Sequence, residues 1–268
     1  DSEGNLYESE VAVCANYNYI PEQIRNGLID KFPPEMLSPD LRQRIILMFN
    51  GFYQMMDEYI EKGGLIVSAA QCLETLQALA QQLALIVDNQ CLKLIANDIF
   101  ATLIYGLHRE HVIRSIYQAG FRLKLWGKYW DTSAEFAPYA MGFVEHGPEL
   151  AKVYSNSRIV IGAFSHVTAH FRIWEAIACG ALVMVRNVPP EYDLCDIRNT
   201  LSDGDGFVFY DDLKDLTAKI RYYLDHETER RQIVATGQAK VKERLTYTAA
   251  VQNWLNFVRN DLNRTIEG

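Results

Sequence analysis

The feature that most limits how this chain can fold is an alternation. From Phe121 onward, short runs of Val, Ile and Leu take turns with helical stretches. "FRLKLWG" ends at Gly127, "RIVIGAF" at Phe164, "ALVMV" at Val185 and "GDGFVFY" at Tyr210. Between and after them come "GPELAKVYSNS", "FRIWEAIACG", "DDLKDLTAKIRYYLDH", "ETERRQIVATGQAKVKERL" and "TAAVQNWLNFVRNDL". Runs this short and this apolar, separated by helices, belong to a mostly parallel sheet covered on both faces. "VAVCAN", Val11 to Asn16, reads as a further buried strand near the start. The expected fold class is therefore α/β. Residues 1–20 supply its first strand and turn, and residues 106–268 supply the rest.

The stretch between them has another character. Pro21 suits the first position of a helix, a strongly apolar helical pattern runs from Leu41 to Ile60, and Gly63 with Gly64 breaks it. Ser68 is placed to cap a helix lasting to about Asp88, and a third runs from about Asn89 to Tyr105. No strand pattern interrupts residues 21–105, which read as a helical block or insertion. Such a block is expected to face a second copy of the chain or a partner domain. The character changes after Tyr105, where "REHVIRSIYQAG" is expected to be an amphipathic helix closed by Gly120, with His108 and His111 facing solvent.

Charge and cysteine usage exclude several classes. The net charge is −8, and residues 1–100 hold 6 Lys or Arg against 14 Asp or Glu, whereas residues 101–268 hold 20 of each. No basic stripe exists for a nucleic acid to follow. Apolar runs fall far short of the roughly 20 residues of a membrane span. Five scattered cysteines with no CxxC predict reduced, mostly buried thiols in a cytoplasmic protein. The chain opens "DSEGNLYESE", without Met or a basic-then-apolar leader, and reads as trimmed or as part of something longer.

In open parallel sheets ligands bind beyond the carboxyl ends of the strands, so polar residues just after each strand are the candidates. Ser165, His166, Thr168 and His170 fill the loop after "RIVIGAF" and can offer hydrogen bonds to a phosphate or a sugar hydroxyl. Asn16 and Arg25 flank the turn after the first strand, and Gly127 with Tyr129 and Trp130 follows "RLKLW". Arg25 can bend toward a phosphate or decorate a helix surface, and Trp130 can contact a base or sit in the core. His166 and His170 have i,i+4 spacing without HExxH, and no metal site is expected. "SDGDG", Ser202 to Gly206, is read as a polar turn and not a calcium loop.

Arg172 and Glu175 are the sharpest pair. They share one helix face at i,i+3 spacing, and the plain reading is an ion pair worth a few tenths of a kcal/mol. Ile173, Ile177, Ala178 and Cys179 make that helix almost wholly buried, where charges have to be paired or used. Read as a site, Arg172 brings a forked donor to a diphosphate near amides that already favour anions. Glu175 brings two acceptor oxygens to the vicinal hydroxyls of a ribose. Glycine-rich dinucleotide, GxxxxGK[ST] and GxSxG motifs are absent, which weighs against a nicotinamide enzyme, a P-loop NTPase and an α/β-hydrolase.

"FRIWEAIACGALVMV", followed by "GDGFVFYDDLKDLTAKIRYYLDHETERRQIVATGQAKVKERLTY", resembles the C-terminal, donor-binding half of GT-B glycosyltransferases. The nearest branch is the one similar to the spore-maturation protein CgeB. "LKLWGKYW" and "GPELAKVYSNSRIVI" match two further landmarks, so the resemblance covers residues 105–257 well and "VAVCANYNYIPEQIRNGL" more weakly. It implies a Rossmann-like domain of GT-B type with a largely helical N-terminal block, a nucleotide-diphosphate sugar as donor substrate, and no required cofactor. It implies that Glu175 holds the donor ribose and that the preceding loop lies near the sugar or diphosphate. Arg172 would sit at the phosphates and stabilise the leaving diphosphate with the helix N-terminus. The second glutamate of many GT-B enzymes would fall at Val167 and is missing.

GT-B enzymes place catalysis between two Rossmann-like domains, and only ten residues precede Val11. The expectation is either a fragment lacking the acceptor domain or a chain whose helical block partners the donor domain. The leading reading is a glycosyltransferase or its donor-binding half, acting on an unknown acceptor. The alternative is a non-catalytic nucleotide-binding or assembly module, and a weaker third is a nucleotide-sugar epimerase.

Overall fold

The apolar runs form six parallel strands in the computed structural model, which describes residues 6–17, 21–30, 38–163 and 167–267. They are β1 (Ser9–Cys14), β2 (Leu123–Trp126), β3 (Ala140–Gly142), β4 (Ser157–Ala163), β5 (Leu182–Arg186) and β6 (Phe207–Tyr210). Their order across the sheet is β3-β2-β1-β4-β5-β6, the doubly wound arrangement of dinucleotide-binding folds. Val11 lies level with Leu123 on one side and Ile159 on the other. From β1 the crossovers run outward in opposite directions, which opens a crevice beyond the carboxyl ends of β1 and β4.

Side chains alternate across a strand, and the two faces of this sheet feed separate cores. Val11, Val13, Ile159, Ile161, Leu182 and Met184 pack on one face against Val112, Ile113 and Ile116 of α5 (Tyr105–Gln118) and Leu216 and Ile220 of α8 (Leu213–Asp225). Ala12, Val160, Val183 and Val185 pack on the other against Val153 and Tyr154 of α6 (Pro148–Ser155) and Ile173 and Ile177 of α7 (Phe171–Ala178). Helix α9 (Glu227–Arg244) reaches both, through Val234 and Val241.

Helix α7 has well-defined ends. His170 is its N-cap, and Gly180 ends it with φ +97° while Ala181 N–H donates back to Ala176 O at 3.1 Å and Gly180 N–H to Ile177 O at 3.0 Å. That is the paired hydrogen-bond pattern a glycine permits after a helix.

The N-terminal region is largely helical. Between β1 and β2 the chain forms α1 (Pro21–Ile29), α2 (Pro39–Glu61), α3 (Ala69–Gln82) and α4 (Asn89–Ile99), with a core of their own that includes Phe49, Phe52, Ile60, Leu76 and Ile99. Ser68 caps α3 reciprocally with Gln71. This region touches the carboxyl edge of the sheet, where Arg186 at the end of β5 donates to Gly63 O at 3.4 Å and lies over the Tyr210 ring.

A π-helical segment, Phe100–Ile104, joins α4 to α5. Two expectations are corrected here. His108 and His111 are buried, not solvent-facing: α5 lies between the sheet and α2, so its polar face is covered as well. His108 Nε2 accepts from Ile66 N–H at 3.2 Å, and His111 Nε2 lies 2.7 Å from Asp57 Oδ1. Of the cysteines, all free, Cys72 is buried, Cys14, Cys91 and Cys179 are half-buried, and Cys195 is exposed. The last helix, α10 (Tyr247–Glu267), exposes Tyr247, Val251, Trp254 and Phe257. Among the described residues no helix is long and apolar enough to cross a membrane.

Candidate functional site

The crevice is built from strand exits and one helix start. At the end of β1 three successive carbonyls are each taken by a side chain from elsewhere. Arg172 Nη1 donates to Cys14 O at 3.1 Å, Trp130 Nε1 to Ala15 O at 2.6 Å, and Arg109 Nη1 to Asn16 O. Carbonyl oxygens at a strand end carry partial negative charge and repel anions. Two guanidiniums over them reverse that. Burial lowers the pKa of Arg109, contact with Tyr105 opposes this, and the charge of Arg172 adds to the lowering.

Gly127 lets the exits of β1 and β2 meet. Its φ is +147°, and a Cβ there would lie 2.1 Å from Ala15 O. Asn16 Oδ1 accepts from Lys128 N–H at 3.0 Å and pins the same junction. Trp130 is fully buried and belongs to the core.

Two adjoining cavities open along the crevice. The first, about 200 Å³, is lined by Cys14, Asn16, Trp126, Gly127, Phe143, Val144, Phe171 and Arg172 among others. The second, about 300 Å³, includes Gly147, Ala151, Glu175, Ala178 and Cys179. His146, Leu150 and Tyr154 line both. Burial pushes the Cys14 thiol up to about 12, against the opposing charge of Arg172, so at neutral pH it is no thiolate nucleophile.

Arg172 and Glu175 do not pair with each other. Arg172 turns toward β1, whereas Glu175 turns to the second cavity and receives His146 Nε2 on Oε1 at 2.7 Å. The plain ion-pair reading is thereby set aside. Glu175 Oε2 is buried and meets no hydrogen-bond donor among the described residues, and buried Trp126 Nε1 lacks an acceptor there too. Buried polar atoms are nearly always satisfied, so unsatisfied ones along a cleft point to a ligand.

His170 spends two amides of the α7 start, its Nδ1 accepting from Arg172 N–H at 3.3 Å and its carbonyl from Ile173 N–H at 2.9 Å. Burial lowers its pKa, with Arg172 adding to the effect, so the ring is neutral at pH 7.

Two candidates are corrected. The Thr168 side chain is buried, and its hydroxyl donates to Asp193 Oδ2 and accepts from Ile197 N–H at 3.0 Å, which spends its one hydrogen on tying two loops away from the crevice cavities' lining. Arg25 lines neither crevice cavity; its Nη1 donates to Asn50 Oδ1 at 3.1 Å beside an apolar cavity of about 320 Å³ within the helical region. That cavity shares no lining residue with the two crevice cavities. Ser165 and His166 lie outside the described residues. Among the described residues no three His, Cys, Asp or Glu side chains gather to hold a metal.

A family model described as glycosyl transferase-like matches residues 109–256, more than half of the chain and the whole of this crevice apart from the β1 exit. The chain belongs to that glycosyltransferase family. Its parallel sheet with flanking helices is of the GT-B type. No curated protein matches the chain. Among solved structures, the crystal structure of an L-2-haloacid dehalogenase is similar at 15% identity and a TM-score of 0.31, over 80% of this chain and 99% of that one. A likeness that low carries no argument.

Within this glycosyltransferase domain, sequence reasoning missed Arg109 and His146. Arg109 stands in a charged run, "HREH", that reads as a solvated helix face. His146 follows β3, three residues long and too short to leave a periodic signal.

Proposed function

We propose that this domain binds a nucleotide-diphosphate sugar along the two cavities and transfers its sugar to an acceptor hydroxyl. In this reading Glu175 grips the ribose and Arg172 meets the diphosphate, with Arg109 reinforcing the positive end. Glu175 Oε2, buried and without a donor among the described residues, carries the reading. A ribose hydroxyl is a neutral donor of the right size to satisfy it, whereas a phosphate would be repelled. The branch similar to CgeB remains the favoured assignment within the family, on the motif "FRIWEAIACGALVMV".

The chemistry follows from charge. As the bond from the sugar C1 to the diphosphate oxygen breaks, that oxygen gains negative charge, and the acceptor oxygen bonds to C1 while its proton passes to water. A preorganised guanidinium at the leaving oxygen stabilises the transition state more than the ground state. Calorimetry with UDP, GDP and their sugars tests the reading. Glu175→Ala is expected to weaken nucleotide binding about 10-fold, roughly 1.4 kcal/mol, and equal affinity would refute the ribose role.

The second reading, a non-catalytic nucleotide-binding or assembly module, draws support from the exposed Tyr247, Val251, Trp254 and Phe257 of α10. Such a stripe suits a partner surface. Sugar release from a bound donor decides for the enzyme, and binding without release decides for the module.

A further inference from the structure

We propose that His146 is a positioning residue that makes Glu175 selective for ribonucleotides over their deoxy forms. The inference rests on the ribose reading of Glu175 given above. A glutamate carboxylate rotates easily about its last torsion, and an unpinned one turns toward water or toward whatever donor arrives. Here His146 Nε2 lies 2.7 Å from Oε1. A carboxylate oxygen only accepts, so Nε2 carries the hydrogen. That bond occupies one oxygen, fixes the carboxylate plane, and leaves the other oxygen, Oε2, buried without a donor among the described residues.

The imidazole is placed to do this while facing the ligand. Its side chain is 67% exposed, it lines both cavities, and the Phe171 ring stands edge-on to it at 6.2 Å. A nucleotide lying across the two cavities passes His146 between its base and its diphosphate. With the plane fixed, a ribose hydroxyl satisfies Oε2. An analogue lacking that hydroxyl leaves the oxygen unsatisfied, the situation in which polar sites discriminate most strongly. With His146 removed, the carboxylate is free to turn to water and the penalty for a missing hydroxyl falls.

The test is calorimetry on the full chain with UDP and GDP and their 2′-deoxy and 3′-deoxy counterparts, for the native protein, His146→Ala, His146→Gln and Glu175→Ala. The native protein is expected to prefer one ribonucleotide over a deoxy counterpart by at least about 10-fold. His146→Ala should reduce that preference to under about 3-fold, and His146→Gln, which keeps a donor, should restore most of it. A structural defect would weaken all the nucleotides together and leave the ratio unchanged, which overturns the proposal. Tighter binding by His146→Ala also overturns it, because His146 would then be blocking the carboxylate. Failure of every nucleotide to bind, or a ribose preference that survives Glu175→Ala, removes the underlying ribose reading as well.

Discussion

Arg172 reaches from the first turn of α7 across the crevice to the carbonyl of Cys14, 158 positions away in sequence, at 3.1 Å. Among the described residues no carboxylate pairs with it, so its full charge stays available at the strand ends. Arg172→Gln is expected to weaken inorganic pyrophosphate and nucleoside diphosphates at least about 10-fold, in line with the larger worth of charge-assisted hydrogen bonds. Uridine and guanosine, which carry no phosphate, should bind almost as before. Titration calorimetry with these four kinds of ligand reads the difference.

Gly127 has no room for a side chain and a backbone conformation that other residues resist. Gly127→Ala would set a Cβ 2.1 Å from Ala15 O at φ +147° and force β1 and β2 apart at the crevice. The expected loss is roughly 2–4 kcal/mol, seen as a lower urea midpoint. A stability within about 0.5 kcal/mol of the native value would show that the junction is looser than the structure has it.

Glu110 on α5 gives the fold a pH dependence. Burial raises its pKa from 4.5 to about 7, the neighbouring Glu135 and Asp57 push the same way, and Tyr17 and Arg114 oppose. An acid raised on folding keeps its proton between pH 4.5 and 7 while the unfolded chain has lost it. Its contribution therefore favours the fold at low pH, declines as pH rises through that window, and is a constant penalty above it. Glu110→Gln, which can still accept from Tyr17, should stabilise the protein by about 2 kcal/mol at pH 8 and by almost nothing at pH 4.5. Urea unfolding at the two pH values checks this, and an equal effect at both would contradict it.

The sheet was legible because strands and helices imprint different periods on apolar residues. Val11, Ile159, Leu182 and Val208 announced their strands, and Gly180 announced the end of α7. β3 escaped, being three residues held by neighbours and not by its own pattern. Local reading also assumed that charged residues on an amphipathic helix face water. On α5 that fails, because α2 packs over the polar face and His108, Arg109, Glu110 and His111 all become interior. Arg172 and Glu175 were singled out by their buried neighbourhood, yet their separation into two cavities depends on which way each side chain turns. The hydroxyl of Thr168 and the guanidinium of Arg25 were likewise decided by distant partners, Asp193 and Asn50, that no local pattern names.

The most direct test of the account is a crystal structure of the protein soaked with UDP or GDP. The account predicts a ribose hydroxyl within hydrogen-bond distance, about 2.6–3.2 Å, of Glu175 Oε2, with the phosphates turned toward Arg172. A nucleotide seated in the cavity beside Arg25, or one that leaves Glu175 Oε2 without a donor, would contradict it.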